Sequence, residues 1–151
     1  MRFDRLLRIM MKLFPRRRRA RRLDKELGKG LWRQAHDRYV RGLDRYHQVI
    51  DGVADDATYS QLVLIGDELA EQLDTVYELC RRAQVSHFSD GLQVPGGATK
   101  LHSSLSRAAN HLATTAEAAA MVRLGHGELV AVRRRADQVK EALRDAADAA
   151  V

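Results

Sequence analysis

At 151 residues the chain is long enough for one domain with a real core and too short for two ordinary ones. Two Pro in a sequence dominated by Ala, Leu, Arg, Asp and Glu favour helix over strand, and a single cysteine, Cys80, excludes an intramolecular disulfide scaffold. The net charge of +6 is unevenly held: eleven Arg and Lys against two Asp give residues 1–25 a charge of +9, while fifteen basic and eighteen acidic groups leave residues 26–151 at −3.

The first segment joins that charge to apolar residues at helical spacing. Plotted at about 100° per residue, Phe3, Leu6, Leu7, Met10, Met11, Leu13 and Phe14 share one broad face, with Asp4, Arg5, Arg8 and Lys12 opposite. Pro15 biases Phe14 away from helix and predicts a break before the Arg16, Arg17, Arg18, Arg19, Arg21 and Arg22 run. The stretch from Arg16 to Lys29 reads either as an extension of the following helix or as a mobile tether. An amphipathic face followed by a polybasic run is the pattern of a segment that lies on an anionic membrane surface. Phe3, Leu6, Leu7, Met10, Leu13 and Phe14 are the expected inserting residues. Arg5, Arg8, Lys12, Arg16 to Arg19, Arg21 and Arg22 are the expected ligands of lipid phosphate. Two other readings of the segment are packing on the body as a fifth helix and an arginine-rich arm on nucleic acid. The latter leaves the apolar face without a purpose.

From Leu31 the positions Trp32, Ala35, Tyr39, Leu43, Tyr46, Ile50 and Val53 step by three or four, predicting a helix over 31–54. Asp55 and Asp56 are suitable N-caps for a second, over 57–84, with Tyr59, Leu62, Ile65, Leu69, Leu73, Val76, Cys80 and Ala83 inward. On the other side of that helix Asp67, Glu71, Asp74 and Glu78 form an acidic line, read as a solvated face or as the seat of a basic partner, the chain's own Arg16–Arg22 run included. Residues 85–98 hold Gly91, Pro95, Gly96 and Gly97 without periodicity and read as the longest loop. Its His87, Phe88, Asp90 and Pro95 are the candidate contacts for a protein partner.

Thr99 is the expected cap of a third helix over 99–124, and Leu129, Val132, Ala136, Val139, Leu143, Ala146 and Ala150 mark a fourth over 127–149. Between them stands Gly125-His126-Gly127, while one heptad series runs straight through it. A turn there gives an antiparallel four-helix bundle; a kink gives a three-helix bundle with one long C-terminal helix. The expected fold is all-α, with the four-helix bundle as body (residues 26–151) and a basic amphipathic N-terminal helix as arm (residues 1–25). The Ala-rich seams of the last two helices suit either internal packing or a homo-oligomer.

Catalytic patterns are missing: no phosphate-binding Gly-rich loop ending in Lys and Ser or Thr, no nucleophile elbow, no His-Glu-x-x-His. Asp44, His47, Glu68, Glu71, His102 and His111 invite a carboxylate metal site, but the Glu-x-x-His pair of such bundles does not occur. No cofactor or metal is expected. No run approaches the roughly twenty apolar residues of a membrane span. Arg outnumbers Lys by 21 to 5, a bias associated with GC-rich bacterial genomes. The resulting expectation is a non-enzymatic, cytoplasmic adaptor or scaffold held peripherally on the inner face of a membrane and binding another protein. The alternative is a nucleic-acid-associated protein.

Overall fold

The computed structural model describes residues 17–151. The described chain is predominantly helical and contains no strand. Five helices follow in order: α1 over residues 17–27, α2 over Leu31–Ile50, α3 over Asp56–Ser86, α4 over Thr99–Arg123 and α5 over Leu129–Ala149.

Residues 17–29 of the Arg16–Lys29 stretch are neither an extension of α2 nor a tether. Their helix ends where Gly28 takes a left-handed φ of 71°, a conformation that stops an α-helix. Leu27 is fully buried and Leu23 packs against the core, so two leucines four apart give α1 a narrow apolar face among its arginines. Gly125 does the same at φ 79° after α4, and the Gly125-His126-Gly127 segment is a turn between two helices rather than a kink within one.

Helix ends depart from the expected ones for local reasons. Helix α2 stops at Ile50, not Ala54, because Gly52 and Val53 donate to the Val49 and Ile50 carbonyls and tighten the chain into a turn. Asp55 caps α3 as expected: its carboxylate accepts from Thr58 N at 2.9 Å and Thr58 Oγ1 at 2.7 Å. Thr99 does not cap α4. That position falls to Ala98, whose N–H donates to the Pro95 carbonyl, and Thr99 is already the first helical residue.

The inward stripe of α2 fixes its register on α3. Trp32, Tyr39 and Tyr46, seven apart, are all buried, and each carries a polar atom that burial leaves in need of a partner. Each finds a backbone carbonyl of or just beyond α3: Tyr46 donates to Leu62 at 2.6 Å, Tyr39 to Leu69 at 2.7 Å and Trp32 Nε1 to His87 at 2.9 Å. Falling numbers on one helix against rising numbers on the other make α2 and α3 antiparallel.

Helix α2 packs chiefly against α3 and α4, and α5 against the same two. Helices α3 and α4, consecutive in sequence, therefore face each other across the core, and residues 87–98 cross one end of the molecule diagonally. The α4–α5 pair is the most intimate, because Ala108, Ala116 and Ala119 on α4 and Ala136, Ala142 and Ala146 on α5 are buried and let the backbones approach. Both Ala seams are thus used inside the chain. Tyr59, expected inward, is 37% exposed: it sits on the first turn of α3, past the end of α2, where the described residues leave it partly uncovered.

Candidate surface for membrane and partner contact

The expected inserting residues Phe3, Leu6, Leu7, Met10, Leu13 and Phe14 lie outside the described residues, as do Arg5, Arg8, Lys12 and Arg16. The remaining phosphate-ligand candidates, Arg17, Arg18, Arg19, Arg21 and Arg22, stand exposed on α1. That helix is held by its C-terminal half. Leu23 and Leu27 supply the apolar contact, and Arg33 of α2 supplies the polar one, reaching Asp24 at 2.6 Å while gripping Asp37 with its Nε at 3.0 Å. The guanidinium of Arg22 lies 5.6 Å from the centroid of the Tyr77 ring on α3, a cation–π distance, and its Nε is 3.5 Å from Glu26 of its own helix.

Between α1, α2 and α3 runs a groove of about 410 Å³. Arg19, Arg22 and Leu23 form one wall, His36, Asp37 and Val40 the second, and Leu73, Asp74 and Tyr77 the third. Of the acidic line on α3, Asp74 alone reaches this groove with the arginines. Glu78 pairs instead with Arg81 at 2.5 Å, and that guanidinium holds its carboxyl below the usual range. Among the described residues the arginine run makes no ion pair with the line.

The loop is pinned over its first half. His87, the C-cap of α3, gives its carbonyl to Trp32, and Ser89 is buried with its hydroxyl 3.1 Å from the carbonyls of both Gly91 and Gln93. A Cβ at Gly30 would stand 2.7 Å from the carbonyl oxygens of Ser89 and Gly91, so only glycine lets the α1–α2 turn and this loop touch backbone to backbone. The partner-contact candidates divide: Phe88 is 66% exposed and Asp90 exposed, whereas His87 and Pro95 are half-buried. Leu92, 63% exposed, extends the apolar surface beside Phe88 and was not singled out by its sequence context.

The metal-ligand candidates are dispersed. His47 Nδ1 lies 2.9 Å from the Leu43 carbonyl of its own helix. Glu68 is taken by Arg133 at 2.5 Å and by Lys140, and these two hydrogen bonds pull its carboxyl below the ordinary value. His102 stands edge-on to Trp32 at the other end of α2, where burial and then the charge of Arg38 depress its pKa. No group of three or more His, Cys, Asp or Glu among the described residues is placed to hold a metal ion. Cys80 is completely buried, and desolvation pushes its thiol up to about 12. No helix among the described residues is long and apolar enough to cross a membrane.

No protein family model matches the chain, and no curated protein or solved structure is significantly similar to it. The site must therefore be read from its own chemistry.

Proposed function

We propose that this protein is a non-enzymatic adaptor or scaffold, a four-helix bundle of two antiparallel hairpins set side by side with α2 parallel to α4, that attaches to the inner face of an anionic membrane through its first 22 residues. The observation that carries the reading is the concentration of +9 in residues 1–25 beside an apolar face, with five arginines displayed on a helix that the body grips by its far end. Each basic residue near an anionic surface contributes roughly 1 kcal/mol, less when several act together, and an inserted apolar face adds to it. Neither term suffices alone. Helix α1 suits this division because Leu27 is buried in the core and Leu23 packs against it, while Arg17, Arg18, Arg19 and Arg21 remain in solvent.

The ring of packing pairs among α2, α3, α4 and α5 supports the four-helix arrangement. Phe88 and Leu92, on a loop tied down at Trp32 and Gly30, are the surface through which a protein partner would be bound. The internal use of both Ala seams leaves a homo-oligomer without the surface expected to drive it.

The test is co-sedimentation of the full chain with neutral and anionic vesicles across a salt series, beside a variant carrying Phe3→Ser, Leu6→Ser, Met10→Ser and Phe14→Ser. Attachment predicts pelleting with anionic vesicles that the substitutions abolish. Retention of duplex DNA by both proteins, with no vesicle binding by either, would replace the membrane reading by the nucleic-acid one.

A further inference from the structure

Helices α2 and α4 lie side by side and parallel, in a register fixed by three contacts along which the residue numbers of both helices rise together. Trp32 meets His102, Arg38 Nη2 donates to Asn110 Oδ1, and Gly42 lies against Leu112, where an added Cβ would stand 3.0 Å from the leucine side chain. Between the first and last of these contacts stand Ala35 and Ala109, whose methyl groups are too short to fill the space between the helices. The result is a pocket of about 300 Å³ floored by the two alanines and Leu105. Its rim is Gln34, Arg38 and Arg41 of α2 with His102 and Ser106 of α4, so every polar group on it is able to donate a hydrogen bond and none is a carboxylate. Arg33 of the same helix is saturated by Asp24 and Asp37, and that grip holds Asp37 on the α1 side. Arg38 and Arg41 have no carboxylate partner among the described residues.

We propose that this pocket binds a phosphate monoester, with Arg38 and Arg41 as its ligands to the phosphate. A guanidinium presents a planar fork of donors that matches phosphate oxygens, and a monoester carries a charge of about −1.5 to −2 at neutral pH, which two guanidinium groups balance. A phosphodiester or a carboxylate carries about half of that. Asn110 already holds the Arg38 side chain across the groove, so less of its freedom is lost on binding. The volume lies at the lower end of the roughly 300–1,000 Å³ of ligand pockets, room for the phosphate and a small organic group whose carbons meet the alanine floor. Burial and then the charge of Arg38 depress the pKa of His102, so the imidazole senses that guanidinium and will register an anion beside it. A soluble phosphate and a lipid with a monoester headgroup offer the same chemistry. The site lies wholly on α2 and α4 and does not depend on the membrane reading above.

The test is titration of the full chain with glycerol 3-phosphate at constant ionic strength, the His102 ring being followed by nuclear magnetic resonance. Its signal should move saturably at millimolar ligand. Arg38→Gln and Arg41→Gln, both at exposed positions, each remove a charge-assisted hydrogen bond and should each weaken binding about tenfold, while the urea midpoint holds. Arg41→Gln alone keeps the test sound if loss of the Arg38–Asn110 link lowers that midpoint. A His102 signal that does not move overturns the proposal. Equal affinity in the Arg41→Gln protein also overturns it, placing the phosphate on the arginine run of the N-terminal arm. So does duplex DNA binding that the double variant loses when glycerol 3-phosphate moves nothing, which gives this face to nucleic acid. Co-sedimentation with phosphatidic acid vesicles then names the source. Weaker pelleting of the double variant upholds the site with a lipid headgroup in it; unchanged pelleting beside lost glycerol 3-phosphate binding upholds it with a soluble ligand.

Discussion

Trp32 donates its indole N–H to the carbonyl of His87 across 2.9 Å, joining residues 55 positions apart and tying the first turn of α2 to the C-cap of α3. The indole is fully buried and meets His102 of α4 edge-on at 6.0 Å between ring centroids, so one side chain touches three elements at one end of the molecule. Trp32→Ala should cost about 3–5 kcal/mol through lost contact and a cavity, and Trp32→Phe less, chiefly the hydrogen bond at about 1 kcal/mol. Urea denaturation followed by far-ultraviolet circular dichroism measures both, since the substitution removes the only tryptophan.

Gly30 should tolerate no side chain. Its neighbours across the α1–α2 turn are backbone oxygens of Ser89 and Gly91, which cannot swing aside as a flexible side chain would. Gly30→Ala is expected to destabilise by about 1–3 kcal/mol and to loosen residues 87–98. The denaturation midpoint reports the first effect, and proteolysis within that loop the second.

Acid should weaken the α3–α5 contact before it unfolds the rest. Glu68 has its carboxyl pKa held below the usual 4.5 by hydrogen bonds from Lys140 and Arg133, so the stability it contributes is complete above that value and is lost as pH falls through the lowered one. Because the pair is partly solvated, the effect is on the order of 1 kcal/mol or less. Glu68→Gln should lower stability at neutral pH and flatten its dependence below pH 4.5, as thermal melts at a series of pH values would record.

Cys80 should behave as an inert thiol in the folded protein. It is fully buried, and its pKa pushed up to about 12 leaves almost no thiolate at neutral pH. Labelling with iodoacetamide is expected to follow global unfolding, its rate rising with urea in step with the loss of helix. Fast labelling in buffer would contradict the burial.

The body was legible because its inward residues are large and regularly spaced. Trp32, Tyr39 and Tyr46 at sevenfold intervals announce a buried face whatever covers it, and Asp55 announces a helix start. Periodicity does not say which helix lies opposite, so the diagonal relation of α3 and α4 was not readable. It also missed α1, whose apolar signal is only Leu23 and Leu27 within a dense run of arginine. Tyr59 fits the period yet lies beyond the helix that would cover it, a matter of element ends rather than spacing. Within the candidate site, the exposure of Arg17 to Arg19 and Arg21 followed from charge. The grip of Arg33 on Asp24 and Asp37 did not, because it depends on α1 folding back along α2.

The diagonal passage of residues 87–98 also divides the described chain into two helical hairpins, α2–α3 and α4–α5, whose one covalent link is that strap. Each hairpin carries half an interior and presents it to the other. A single nick near Gly91 or Gly96, where an added Cβ would meet open space, would yield two fragments that are each too apolar on one side to persist alone. Mixed, they should reassemble, which makes this protein a natural candidate for a split pair whose halves report on each other's presence.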